Sequence, residues 1–118
     1  MKRINSRDKG ARGERELAAY LRERGFTGAK RGQQFKGSPE SPDVAGLPGH
    51  HIECKRTEIL ALAAAYEQAT RDCGSSDAIP IVAHRRNEKP WLVILKLDDY
   101  LSLYRELLKL RELLGSDF

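Results

Sequence analysis

The tetrapeptide Gly46-Leu47-Pro48-Gly49 constrains this chain more than any other feature. It separates two short runs of strand-forming character, Asp43-Val44-Ala45 and His51-Ile52-Glu53-Cys54-Lys55. Two glycines and a proline in four residues make a turn, and strand runs on either side predict a β-hairpin. Strand side chains alternate between faces, so Glu53 and Lys55 share one face while Ile52 and Cys54 take the other. With the turn centred near Pro48, Asp43 comes to lie roughly opposite Glu53. Opposed like charges in a sheet cost about 0.2–1 kcal/mol. A divalent cation between the carboxylates would offset that cost, and Mg²⁺ takes oxygen ligands of this kind. Lys55 would project beside it, able to hold a water or stabilise charge on a phosphate. A solvated strand face would carry the same Glu-x-Lys triplet. The metal reading gains weight from Pro42-Asp43 one hairpin earlier.

Around the hairpin the pattern predicts a helix over about 11–24, with Leu17, Ala18 and Leu21 at helical spacing and Gly25 as its stop. A Gly- and Gln-rich stretch, 29–37, reads mostly as loop with room for a short strand. A second helix is expected over about 58–72. Two β-type runs follow, 78–83 and 91–95, the second apolar on both faces and so expected in the core. A last helix, capped by Asp98 or Asp99, runs to about Leu114. Residues 1–10 are polar and basic and are expected to form an arm. This order of helix, strands, helix, strands, helix fits an α/β or α+β sandwich around one mixed sheet. At 118 residues the chain suits a single domain, 1–118.

Composition narrows the class. No apolar run approaches the ~18 residues of a membrane span, and the basic N-terminus lacks the apolar stretch of a signal peptide. Two cysteines, Cys54 and Cys73, are too few for a disulfide scaffold, which favours a reducing cytoplasm. With His50, His51 and His84 they lack the paired spacing of a structural zinc site. The net charge of +4 is unevenly spread. Residues 1–36 hold 11 Lys/Arg against 4 Asp/Glu, a net +7, whereas residues 37–83 hold 3 against 7, a net −4. A basic end joined to an acidic middle suggests a surface for a polyanion beside a site that collects carboxylates. Glu14 adds to the second part. It shares a helix face with Leu17, Ala18 and Leu21, where a carboxylate is costly unless it is paired or near a metal. In the first helical turn it could instead stay wet and favour the dipole.

At these residues the chain resembles the PD-(D/E)XK nuclease superfamily, and within it the small Holliday-junction-resolvase-like enzymes of archaea, bacteria and phages. The resemblance rests on Gly10-Ala11-Arg12-Gly13-Glu14-Arg15-Glu16-Leu17, Pro42-Asp43-Val44 and Ile52-Glu53-Cys54-Lys55. It implies a restriction-endonuclease-like core and a metal-dependent DNA endonuclease, with four-way junctions as substrate. Asp43 and Glu53 would ligate Mg²⁺, with Mn²⁺ able to substitute. The backbone carbonyl of Cys54 could be a further ligand, and Glu14 would contact the metal through water or directly. Lys55 would act on the nucleophilic water, and Gln68 matches a glutamine found near such sites. Arg12, Arg15, Lys30, Arg31 and Lys36 are the candidate phosphate contacts, with Lys2, Arg3, Arg7 and Lys9 as an arm. Gln33 and Gln34 would reach sugar or phosphate, and Arg85 and Arg86, in a strand-connecting loop, a second duplex arm.

The last helix holds more leucine than one buried stripe needs. The surplus marks either a homodimer surface, which the resemblance also implies, or a broad core face with ordinary exposed leucines. Three rival functions stand beside the resolvase: a non-catalytic basic DNA-binding module, a repair or restriction nuclease of the same fold, and an assembly protein joined through this helix. Clustered carboxylates weigh against pure DNA binding, because without a metal they would repel phosphate.

Overall fold

The structure is a computed structural model that describes residues 6–32 and 42–115, with side chains from Gly10 onward. Its elements follow in the order α1 (Ser6–Glu23), β1 (Lys30–Arg31), β2 (Val44–Ala45), β3 (His50–Arg56), α2 (Leu62–Cys73), β4 (Ile79–Arg85), β5 (Leu92–Ile94) and α3 (Leu97–Leu113). The strands make one sheet in chain order. Strands β3 and β4 are parallel, and every other neighbouring pair is antiparallel. Parallel neighbours need a crossover, and α2 provides it. The result is the expected α+β architecture, a mixed sheet flanked by helices and consistent with a restriction-endonuclease-like core.

One face of the sheet carries Val44, Ile52, Ile81 and Ala83, and Leu17 and Ala18 of α1 close over it. On the opposite face Ala65 and Ala69 of α2 pack on Val82. Strands β3 and β4 are therefore covered from both sides, which is why their burial does not alternate. Pro80 fits within β4 because its missing donor is not needed there. Ile79 donates to the Gly49 carbonyl of the β3 side at 2.8 Å, so the next nitrogen points the other way, before β5 begins to pair at Val82.

Several boundaries differ from the sequence reading. Helix α1 starts at Ser6, so the stretch expected to be an arm is helical from that residue; residues 1–5 lie outside the described ones. Helix α2 starts at Leu62 rather than near Glu58. The four residues before it are held in a loop instead, where Glu58 accepts the Asn87 N–H at 2.7 Å and the Thr57 hydroxyl donates to the Ile59 carbonyl at 2.9 Å. Asp98 and Asp99 lie in the first turn of α3, where they suit the helix dipole, and Lys96 is the N-cap residue. The larger correction concerns β5. It is not a core strand: Leu92 is 59% and Val93 56% exposed.

Two glycines set how closely the elements approach the site. A Cβ on Gly13 would stand 2.7 Å from the Arg56 Cβ, so only glycine lets α1 sit this near to β3. A Cβ on Gly32 would fall 1.8 Å from the Pro42 carbonyl oxygen, a backbone atom. Gly32 also donates its N–H to the Asp43 carbonyl at 2.8 Å. Gly32→Ala should therefore push Pro42-Asp43 away and destabilise the fold by about 2 kcal/mol or more. Nothing stands within 4 Å of a Cβ on Gly10, so Gly10→Ala should gain up to about 1 kcal/mol from helix propensity. Thermal melts of the two variants check this pair of opposite signs.

Candidate active site

The site is assembled on β3 and on the residue that precedes β2. Val44 pairs with Ile52, which centres the turn at Pro48 as the sequence count expected. The Asp43 N–H also donates to the Ile52 carbonyl, at 2.8 Å. Two residues thus address one on β3, a bulge-like step that leans Asp43 onto its neighbour. Its Oδ2 accepts the Cys54 N–H at 2.9 Å. Backbone and side chain together fix this carboxylate against β3.

Glu53 is 2% exposed. Burial pushes its carboxyl up to about 9, followed by the charge of Asp43, a hydrogen bond with Asp43, and then a hydrogen bond with Asp72 and its charge. Asp72 lies in α2 and was not anticipated from the sequence. The available signal was its position one helical turn beyond Gln68, on the helix side that meets the sheet. The Lys55 Nζ donates to the Gln68 Oε1 at 3.0 Å. The two residues are thus brought together, and a small cleft of about 200 Å³ opens beside them between Thr57 and Ala65. A second cleft, of about 470 Å³, is lined by Pro42, His51 and the Cys73–Ser76 turn.

Glu14 is 7% exposed and accepts the Arg31 Nε at 2.7 Å. Its carboxyl is raised by burial, pulled down by the Arg31 bond and raised again by the charge of Asp43. The α1 carboxylate therefore lies within the electrostatic reach of Asp43. The Cys54 thiol, half-buried on the α1 side, is pushed far up by burial and then by the charges of Asp43 and Glu14.

The candidate phosphate contacts divide into two groups. Arg12, Arg15 and Lys30 are exposed. Arg31 is committed to Glu14. Arg85 is not in a loop: it ends β4, donates to the Lys89 carbonyl at 2.7 Å and pairs with Glu16, which also binds Arg56 at 3.3 Å. Arg86 is exposed beyond β4. Lys2, Arg3, Gln33, Gln34 and Lys36 lie outside the described residues, as do the side chains of Arg7 and Lys9.

Among the described residues no group of three or more His, Cys, Asp or Glu side chains is placed to hold a metal ion. The donors present are a hard oxygen pair, Asp43 and Glu53, with Asp72 against Glu53 and Glu14 near Asp43. Such a set fits a cation that keeps most of its own waters, as Mg²⁺ does. Without a cation this crowd relieves its repulsion by holding a proton on Glu53.

Residues 5–115 match the profile of one protein family, described as phage putative PDDEXK endonuclease. No curated protein and no solved structure matches the chain.

The Glu53 proton has a thermodynamic consequence. Its folded value, about 9, lies above the ordinary 4.5 of the unfolded chain. Below the lower value both states are protonated and nothing is lost. As pH rises between the two values, only the unfolded chain releases its proton, so folding stability falls. In EDTA at about pH 8, Glu53→Gln should be more stable than the parent by the order of 2 kcal/mol. Its stability should also vary less with pH across that window. Thermal melts over the range decide it, and parallel curves for the two proteins would refute the buried proton.

Proposed function

The chain belongs to the phage PDDEXK endonuclease family, and from that premise we propose that it is a Mg²⁺-dependent endodeoxyribonuclease selective for branched DNA, four-way junctions above all. Mn²⁺ substitutes for Mg²⁺. The enzyme works in the cytoplasm of the host cell as a homodimer whose two sites make paired cuts. The observation that carries the reading is the crowding of Asp43 against the buried Glu53, with the Lys55 ammonium on the same strand face. Carboxylates facing a polyanion make sense as metal ligands, and make none as a bare DNA-binding surface.

Asp43 and Glu53 would hold the metal, with the Cys54 carbonyl as a further donor and Glu14 reaching it directly or through water. When bound, the metal polarises the phosphate and makes its water a better nucleophile at neutral pH. The chain's own residues do the rest. The Cys54 N–H keeps the Asp43 carboxylate in register with Glu53. Gln68 holds the Lys55 Nζ by accepting from it, which leaves two ammonium protons for the attacking water and the developing phosphate charge. Arg12, Arg15 and Lys30 supply phosphate contacts, which set affinity and salt dependence and carry no sequence information. Gln34, Lys36, Arg31 and Arg85 complete that set; the last two keep donor groups beyond the ones their carboxylate partners occupy.

The test incubates the protein with a four-way junction, a nicked duplex and a linear duplex in Mg²⁺, Ca²⁺ or EDTA. Junction cutting should appear in Mg²⁺ and vanish in EDTA. Asp43→Asn and Lys55→Ala should each lose about two orders of magnitude or more in rate. Full activity in either variant, or cutting in EDTA, would overturn the mechanism. Equal cutting of linear duplex would replace the junction enzyme by a repair or restriction nuclease of the same fold. Tight binding without cutting under any metal would leave a DNA-binding module.

A further inference from the structure

Fourteen large apolar side chains are exposed among the described residues, and eleven of them fall between Leu92 and Leu114. No residue of α3 is buried. Single exposed leucines are ordinary, but a contiguous patch of this kind marks an interaction surface. A 17-residue helix without a covered face is also marginal in water, since most helical stability in proteins comes from packing an apolar side.

The patch is ordered. Tyr100, Leu103, Leu107, Leu110 and Leu114 recur at alternating steps of three and four, the seam of a helix that packs on another helix. The first two seam residues border an apolar groove of about 420 Å³, whose walls include Trp91 and Val93 and whose floor includes Ile52 and Ile81. From there the seam runs off the body of the domain. Helix α3 is about 25 Å long, and the radius of gyration, 15.8 Å, exceeds the ~13.5 Å of a compact chain this size. Helix α3 cannot fill the groove of its own chain, because its first turns already form the rim.

We infer that α3, β5 and this groove are the surface through which two copies of the chain associate. It rests on the dimer of the reading above and not on its chemistry. A second copy is the occupant because one chain holds both complementary parts, an empty apolar groove and an uncovered apolar seam. A two-fold axis lets each copy use both at once, as an isologous interface requires. The exposed apolar residues and the groove walls amount to about twenty residues, which is what a stable interface of standard size takes from each partner.

Light scattering on the intact chain during size exclusion tests this without DNA. The expected mass is twice 13.3 kDa. The double variant Leu107→Glu/Leu110→Glu should run as a monomer, and Lys109→Glu, off the seam, should stay dimeric. Neither leucine is buried within the chain, so circular dichroism of the double variant should keep the sheet signal. Hydrogen exchange on the parent protein supplies a second readout. Amides of 97–113 should be protected at tens of micromolar and lose protection on dilution, whatever the variants do. A monomeric parent with unprotected α3 amides would overturn both this surface and the dimer, and would leave the nuclease reading standing. A double variant that remains dimeric would overturn the surface alone.

Discussion

The Asp43 carboxylate is held by a backbone N–H, and the chemistry proposed for the site depends on that bond. A carboxylate next to a buried Glu53 is repelled by it and would swing into solvent if left alone. The 2.9 Å bond from Cys54 and the backbone bond to Ile52 prevent this. They in turn require the tight turn at Pro48 and the close approach of Gly32 to the Pro42 carbonyl. The two carboxyls are thereby kept together, and a proton held on Glu53 relieves their repulsion. On the proposed function a divalent cation would take the place of that proton. Asp72 adds a hydrogen bond and a further negative charge against Glu53 from the α2 side.

The hairpin and its register could be read from the sequence because a turn with two glycines and a proline leaves few alternatives. Counting outward from Pro48 then placed Asp43 against Glu53. The pairing of Lys55 with Gln68 was legible only through resemblance, since a polar residue on an alanine-rich helix carries no signal of its own. Asp72 was missed although its place one helical turn beyond Gln68 offered a signal. The start of α2 was misjudged because Glu58 suits a helix by propensity, whereas here its carboxylate is taken by the Asn87 N–H across the loop. Arg85 shows the limit of reading charge from sequence. It belongs to β4, and Glu16 pairs with it from a residue far away in the chain.

The net +7 of the N-terminal stretch is accordingly less available than it looks. Within the described residues, Arg31 neutralises Glu14, and the acidic Glu16 lies between Arg56 and Arg85. These pairs do structural work: they tie α1 to β1, β3 and β4 around the glycine contact at Gly13. What stays exposed from that stretch near the carboxylates is Arg12, Arg15 and Lys30. Arg12 and Arg15 flank Glu14 on α1, so the same short helical segment brings an acidic group inward and presents cations outward. Exposed cations and a buried carboxylate are thus separated by helix periodicity over four residues.

The C-terminal third inverts the usual relation between composition and burial. β5 has the apolar character of a strand covered on both faces, and α3 has more leucine than any one-sided helix needs, yet both are exposed in the single chain. An edge strand of this kind invites association unless it is short, charged or covered. β5 is short, but Leu92 and Val93 bring no charge to it. On the dimer proposed above, a second chain would supply the cover that this apolar surface lacks in one chain. The expectation that β5 is core fails on Leu92 and Val93, because an apolar run on both faces of a strand records that the strand suits cover and not which element supplies it.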